Sequence, residues 1–333
     1  VLLITAILLG YNLNSLGAVL GPVFTVLPCL LLLFISDSKI LLDTFNFIVN
    51  FFAILLPISL FVFLLTFIGL PRIGEITHFS DLYGTFDNYI LAFRSNMYGF
   101  RFSSVFLEPG HLGMILSFLL FALKYNFKDF RVVILLIVSL FTLSLAAYVL
   151  IFIGYILKLL LYRELRFRVV LLGSVSLLLL YLLAVNFNEG DNLLNNHLFA
   201  RLQLDEEKGF TGNNRTYGKL DDVFEIAMNN KELVFWGIGV DNYNLLRDNI
   251  DFGGAGVKVY VLRQGLVSVL LVFSAYFLVG LSLSKHRRYI LCFMLLIALS
   301  FWQRAYPFWT SWIITFMGGI ALTNEIRPKE VEK

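Results

Sequence analysis

The chain has 333 residues, 59% of them apolar and 15% charged, where a soluble domain carries about 45–50% apolar and about a quarter charged residues. With 34 Phe and a mean hydropathy of +0.81, no compact soluble domain of this size could hide its large apolar side chains, so lipid is the solvent for most of its surface. A net charge of +3 without a basic, aromatic-interleaved loop excludes nucleic acid as a partner. Cys29 and Cys292 lie inside apolar runs, where a thiol acts as a small hydrophobe. The first apolar stretch has no basic region before it and no small-residue cleavage site after it, unlike a cleavable signal.

Crossing a hydrocarbon layer of about 30 Å takes about 20 apolar residues as a helix. Such runs occur at Leu16–Ile35, Phe47–Ile68, His111–Phe127, Val169–Phe187, Gly256–Leu283, Tyr289–Trp302 and Pro307–Thr323, with a short one at Val1–Leu9. Val132–Tyr162 would make a helix of about 46 Å at about 1.5 Å per residue, too long for one span. Lys128 and Arg131 precede this run and Lys158 and Arg163 close it, so the positive-inside rule places both ends in the cytoplasm, and a hairpin turning near Ser144 satisfies it. The expectation is an all-α polytopic bundle of about ten spans with both termini inside. It forms a single membrane domain over residues 1–333 with two extracytoplasmic loops, 69–110 and 188–255. The short connections collect Lys39, Lys124, Arg166, Arg168, Lys285, Arg287 and Arg288 on the cytoplasmic face.

Two constellations could carry chemistry. Arg101-Phe-Ser-Ser-Val-Phe-Leu-Glu108-Pro109-Gly110-His111 stands just before a membrane helix. Pro109 suits the first helical turn and sets Glu108 at the N-cap, where a carboxylate is favourable in its own right or paired with Arg101. In the second loop, Arg215 precedes Thr216, a candidate N-cap for an amphipathic helix carrying Leu220, Val223, Phe224 and Ala227. An arginine beside a helix N-terminus is suited to phosphate, although Asp221 and Asp222 oppose an anion there. Arg263 and Arg304 fall within or at the ends of apolar runs, where ionised groups face a cavity, a partner or the interface. Trp236, Trp302, Trp309 and Trp312 map to the outer side, which favours sugar stacking over a belt at both interfaces.

The segment Arg101, Ser104, Phe106, Glu108, Pro109 and Gly113 resembles the O-antigen and capsule polysaccharide polymerases, relatives of the O-antigen ligases. Thr142-Leu-Ser144 is similar to that family's Thr-x-Ser stretch, and Arg215 with the following helix and Gly237-Ile-Gly239 resembles its second outer loop. The likeness runs from about Arg101 to Tyr306. It implies a GT-C-like glycosyltransferase of the bacterial inner membrane, acting toward the periplasm or exterior in polysaccharide or lipopolysaccharide biosynthesis. Its substrate would be an undecaprenyl-diphosphate-linked oligosaccharide, with a chain-length regulator as a further partner. Arg101, Glu108 and Arg215 are then the catalytic candidates, and His111, Arg263, Arg304, Tyr306 and Trp236 the substrate-binding ones. An O-antigen ligase or a lipid-linked oligosaccharide flippase is the alternative, although polar mass on one face suits alternating access poorly. No cofactor is expected. Glu189-Gly-Asp191 and Asp205-Glu206-Glu207 have the look of metal ligands, but this loop is acidic throughout and fixed arginines supply the charge, so no metal is expected either.

Overall fold

A computed structural model describes residues 38–77, 85–95, 99–106, 108–163, 181–192, 195–200, 204–205, 209–210, 216–250, 252–254, 256–284, 286–307 and 309–324, and residues 175, 178 and 179. Among these the chain is mostly helical. The spans expected at Val1–Leu9 and Leu16–Ile35 and about half of that at Val169–Phe187 lie outside the described residues, as do Cys29 and Arg215. Two compact units emerge, Leu42–Gln203, and Leu204–Ile326 together with the described residues up to Leu41.

In the first unit, helix α1 (Ser38–Leu65) is the apolar run expected from Phe47, extended backwards to Ser38. Together with the residues to Ile68 it is long and apolar enough to cross a membrane. Phe47, Phe51, Ile54, Ile58 and Phe61 are exposed at helical spacing while Phe45, Val49, Ala53, Leu56 and Phe63 are buried. One face is thus built for lipid and the other for protein. Strands β1 (Gly74–Thr77), β2 (Thr85–Asn88) and β3 (Phe93–Ser95) form an antiparallel sheet in the order β1-β2-β3 within the first expected loop. Arg72 reaches Asp87 at 2.7 Å and Glu75 at 3.2 Å, a surface arrangement that fixes the sheet's entry more than it stabilises it.

Helix α2 (Pro109–Ala122) has every residue buried. It is the centre of the unit, and its length of about 21 Å is less than a bilayer's hydrocarbon thickness. The expected His111–Phe127 span is therefore shorter and starts earlier. Lys124 and Tyr125 have φ of 56° and 49°, a left-handed conformation that stops the helix. Helices α3 (Phe130–Phe141) and α4 (Leu145–Leu161) are the two arms of the expected hairpin. Their turn is made by local chemistry. The Thr142 hydroxyl donates to Ser139 O at 2.7 Å, Leu143 takes φ 43°, and Ser144 caps α4 by accepting from Ala147 N. A Cβ on Gly113 would lie 2.5 Å from Ala147 Cβ and 3.4 Å from Thr142 Oγ1, so glycine there lets α2 touch the hairpin turn.

In the second unit, strand pairs β4 (Leu204–Asp205) with β5 (Gly209–Phe210), and β6 (Thr216–Gly218) with β7 (Phe252–Gly254), frame three short helices. These are α5 (Leu220–Met228), α6 (Lys231–Trp236) and α7 (Val240–Ile250). The apolar stripe read from the sequence is the packing face of α5: Leu220, Val223, Phe224 and Ala227 meet Tyr243, Val259 and Leu262. Thr216 is not its cap. Thr216 pairs with Gly254 in the β ladder, and the N-cap of α5 is Lys219. Helices α8 (Val257–Leu283), α9 (Arg287–Gln303) and α10 (Thr310–Asn324) follow the three last apolar runs. Of these, α8 is long and apolar enough to cross a membrane.

Candidate functional site

The loop before Glu108 is laid along α1. Phe100 stacks on Phe67 at 5.5 Å, Phe102 meets Phe63 edge-on at 5.4 Å, Ser59 donates to the Ser104 hydroxyl at 2.8 Å, and Phe106 stacks on Phe52 at 6.4 Å. From Phe52 to Phe67 the helix rises about 22 Å. A non-helical segment of that extent beside a membrane-length helix is tolerated only where protein or water satisfies its backbone. Phe102 N accordingly bonds Phe141 O at 2.9 Å, and the Arg101 guanidinium donates to Thr142 O at 3.2 Å. Arg101 is thus fixed at the turn between α3 and α4.

Glu108 is the N-cap of α2, with an extended backbone and no side-chain capping bond. Its carboxylate is 3.8 Å from His111 Nε2, and the two side chains are 14% and 10% exposed. The structure therefore brings together a carboxylate and an imidazole at the start of a helix buried on all sides, a pairing suited to proton transfer.

In the second unit the decisive feature is a break in α8. Gly265 has φ 75° and ψ 169°, a region open in practice only to glycine. An intact helix would give Leu262 O and Arg263 O to the amides four residues on; here Ile238 N takes the first at 2.8 Å and Gly239 N the second at 3.1 Å. The strap Gly237-Ile-Gly239 thus fills the break. A Cβ on Gly237 would lie 2.7 Å from Arg263 O, and one on Gly265 would lie 2.1 Å from Phe235 O. Both glycines are needed because two backbones touch. The piece of α8 before the break packs into the loop helices through Val259 and Leu262, and the 18 residues after it are about 27 Å long, close to one bilayer. Arg263 therefore lies at the junction of these two pieces, not simply at a fixed depth along one continuous span.

Tyr243 lies under the Arg263 guanidinium at 5.5 Å. Among the described residues, Tyr306, Arg247 and Tyr260 are the other ionisable groups close enough to act on its charge. Among the described residues, Arg263 Nε and the neighbouring Gln264 Oε1 are buried without a hydrogen-bond partner. Arg304 ends α9 and is 4% exposed, so it does not snorkel to an interface. Its carbonyl accepts from Tyr306 N at 3.0 Å, and the Tyr306 ring lies 5.6 Å from Trp309. Trp236 ends α6 and is 62% exposed, whereas Trp312 is fully buried and offers no face to a sugar. The expected four-tryptophan platform is thereby reduced. Arg215 lies outside the described residues. Since β6 separates it from α5, the sequence argument that set it beside a helix N-terminus does not hold.

Sequence reasoning missed Tyr243, Tyr260, Gln264 and the role of Gly265. A glycine directly after Arg-Gln inside an apolar run was the available signal. Among the described residues no group of three or more His, Cys, Asp or Glu has an arrangement that could hold a metal. Comparison with family models, with curated proteins and with solved structures finds no match.

Proposed function

We propose that the protein is a bacterial inner-membrane polysaccharide polymerase of about ten spans that transfers a polyprenyl-diphosphate-linked glycan to another lipid-linked repeat unit on the extracytoplasmic face. The observation that carries this reading is Arg263: a half-buried guanidinium at a helix break, its Nε buried and unbonded, standing over Tyr243, with no carboxylate among the described residues that act on its charge. Such a group suits an anion with forked oxygens, and diphosphate is the natural one at a membrane surface. Arg263 and Arg304 are assigned to the diphosphate. As the acceptor hydroxyl oxygen bonds to the anomeric carbon and the bond from that carbon to the diphosphate oxygen breaks, the lipid diphosphate leaves as an anion whose growing charge they stabilise. Glu108, beside His111, is the candidate base or orienter for an acceptor hydroxyl. Arg101 positions the turn between α3 and α4, Arg215 keeps the phosphate-binding role that the resemblance implies, and Tyr306 and Trp236 are assigned to the glycan.

Purified protein supplied with lipid-linked repeat units will yield longer glycans on a gel without moving them across the bilayer. Transfer instead to a lipid A–core acceptor would make it a ligase. One observation favours a transporter: discontinuous helices line substrate sites in that class, and α8 is discontinuous at Gly265. Translocation of the lipid-linked unit without elongation would replace the proposal by that reading.

A further inference from the structure

Among the described residues, two consecutive residues at the break in α8 each carry a buried atom without a hydrogen-bond partner, a donor at Arg263 Nε and an acceptor at Gln264 Oε1. An amide oxygen normally takes one or two hydrogen bonds, and leaving it dry and unbonded costs the desolvation of that group. The backbone shows why the pair is held so. Arg263 O is capped by Gly239 N, and a Cβ on Gly237 would lie 2.7 Å from Gln264 N, so the strap fixes the chain on both sides of the peptide joining them. Arg263 stands over Tyr243. That cation–π contact engages the guanidinium but leaves Arg263 Nε and Gln264 Oε1 unbonded among the described residues. A ligand that is anionic at one end and offers a hydroxyl or amide N–H beside it would satisfy both.

We infer that Gln264 is a specificity residue, its Oε1 accepting a hydrogen bond from the first sugar of the donor while Arg263 holds the adjoining diphosphate. This rests on the proposed reading of Arg263 as a diphosphate holder. The ligand class is accordingly a sugar diphosphate lipid, recognised at the sugar nearest the phosphate and not by the lipid diphosphate alone. A site built to bond a sugar donor discriminates strongly against a ligand that lacks it, because the acceptor is then left buried and unpaired.

The test compares geranylgeranyl diphosphate, bare and carrying one hexose or N-acetylhexosamine, bound to the full chain in lipid nanodiscs. The parent protein will bind at least one sugar-bearing form about tenfold or more tighter than the bare one. Q264M, which keeps the length of the side chain and removes the orphaned acceptor, will lose that preference, leave the bare diphosphate's affinity within about twofold, and melt no lower than the parent. R263M will lose both ligands. If the parent binds bare diphosphate but prefers no sugar form, or if Q264M keeps the preference, weakens both ligands alike or melts well below the parent, Gln264 is a structural residue and the inference fails while the Arg263 assignment stands. If the parent binds neither probe, the diphosphate assignment of Arg263 falls as well.

Discussion

Gly265→Ala tests whether the break in α8 holds the candidate site together. At φ 75° and ψ 169° an alanine costs about 1–3 kcal/mol in backbone strain. Its Cβ would lie 2.1 Å from Phe235 O and 2.5 Å from Phe235 C, so α6 and the strap must also move. That movement breaks the bonds from Ile238 N to Leu262 O and from Gly239 N to Arg263 O, a further loss of about 2 kcal/mol at about 1 kcal/mol each. Gly69 is the matched control, since its φ is 96° but nothing lies within 4 Å of a Cβ there, leaving only a left-handed penalty of about 1–2 kcal/mol. Gly265→Ala should therefore be less stable than Gly69→Ala by about 2–3 kcal/mol. At roughly 2 °C per kcal/mol for a chain of this size, that is a melting temperature lower by about 5 °C in the same detergent. Glycan extension should fall with it, because Arg263 loses its fixed position. Equal melting temperatures for the two variants would refute the close backbone contact, and with it the account of how Arg263 is aimed.

Glu108→Gln, which keeps the shape and removes the base, should lower chain extension by about 100-fold or more with little change in melting temperature; full activity would remove Glu108 from the proton transfer. The Asp129 carboxyl caps α3 and is held below its usual value, chiefly by the Arg131 side-chain hydrogen bonds. Its stabilisation is therefore complete above the unfolded value of about 4 and is lost as pH falls through the lower folded value. Asp129→Asn should flatten the fall in melting temperature below about pH 4, and an unchanged profile would refute the link. Single cysteines at Tyr83 and Asn213 should react with an impermeant thiol reagent from outside while one at Lys285 does not, and labelling of 285 alone would invert the topology. Chain extension should persist in excess EDTA; loss restored by Mg²⁺ would shift the chemistry to Glu189, Asp191 and Asp205.

Composition and periodicity determined the helical class, the apolar run of α1, the hairpin with its turn at Thr142–Ser144, and the packing face of α5. Each rests on local signals: an apolar run of sufficient length, basic residues at both ends of a run too long for one span, and a repeat of three to four residues. Glu108 at an N-cap was legible for the same reason, because Pro109 fixes the helix start from its own φ. Tertiary structure alone decided what lies between distant segments. Thr216 could cap a helix by residue type, yet pairing with Gly254 carried it into a strand, since partners 38 residues apart leave no local trace. Trp312 and Arg304 looked like interface residues in an apolar sequence and proved to be buried. Gly265 reads as one more small residue in a membrane helix until the strap from Gly237 to Gly239 supplies the bonds its break gives up. An unmade helical hydrogen bond is too costly to leave dry, so the break depends on a loop some 25 residues earlier, and only the folded chain brings that loop to it.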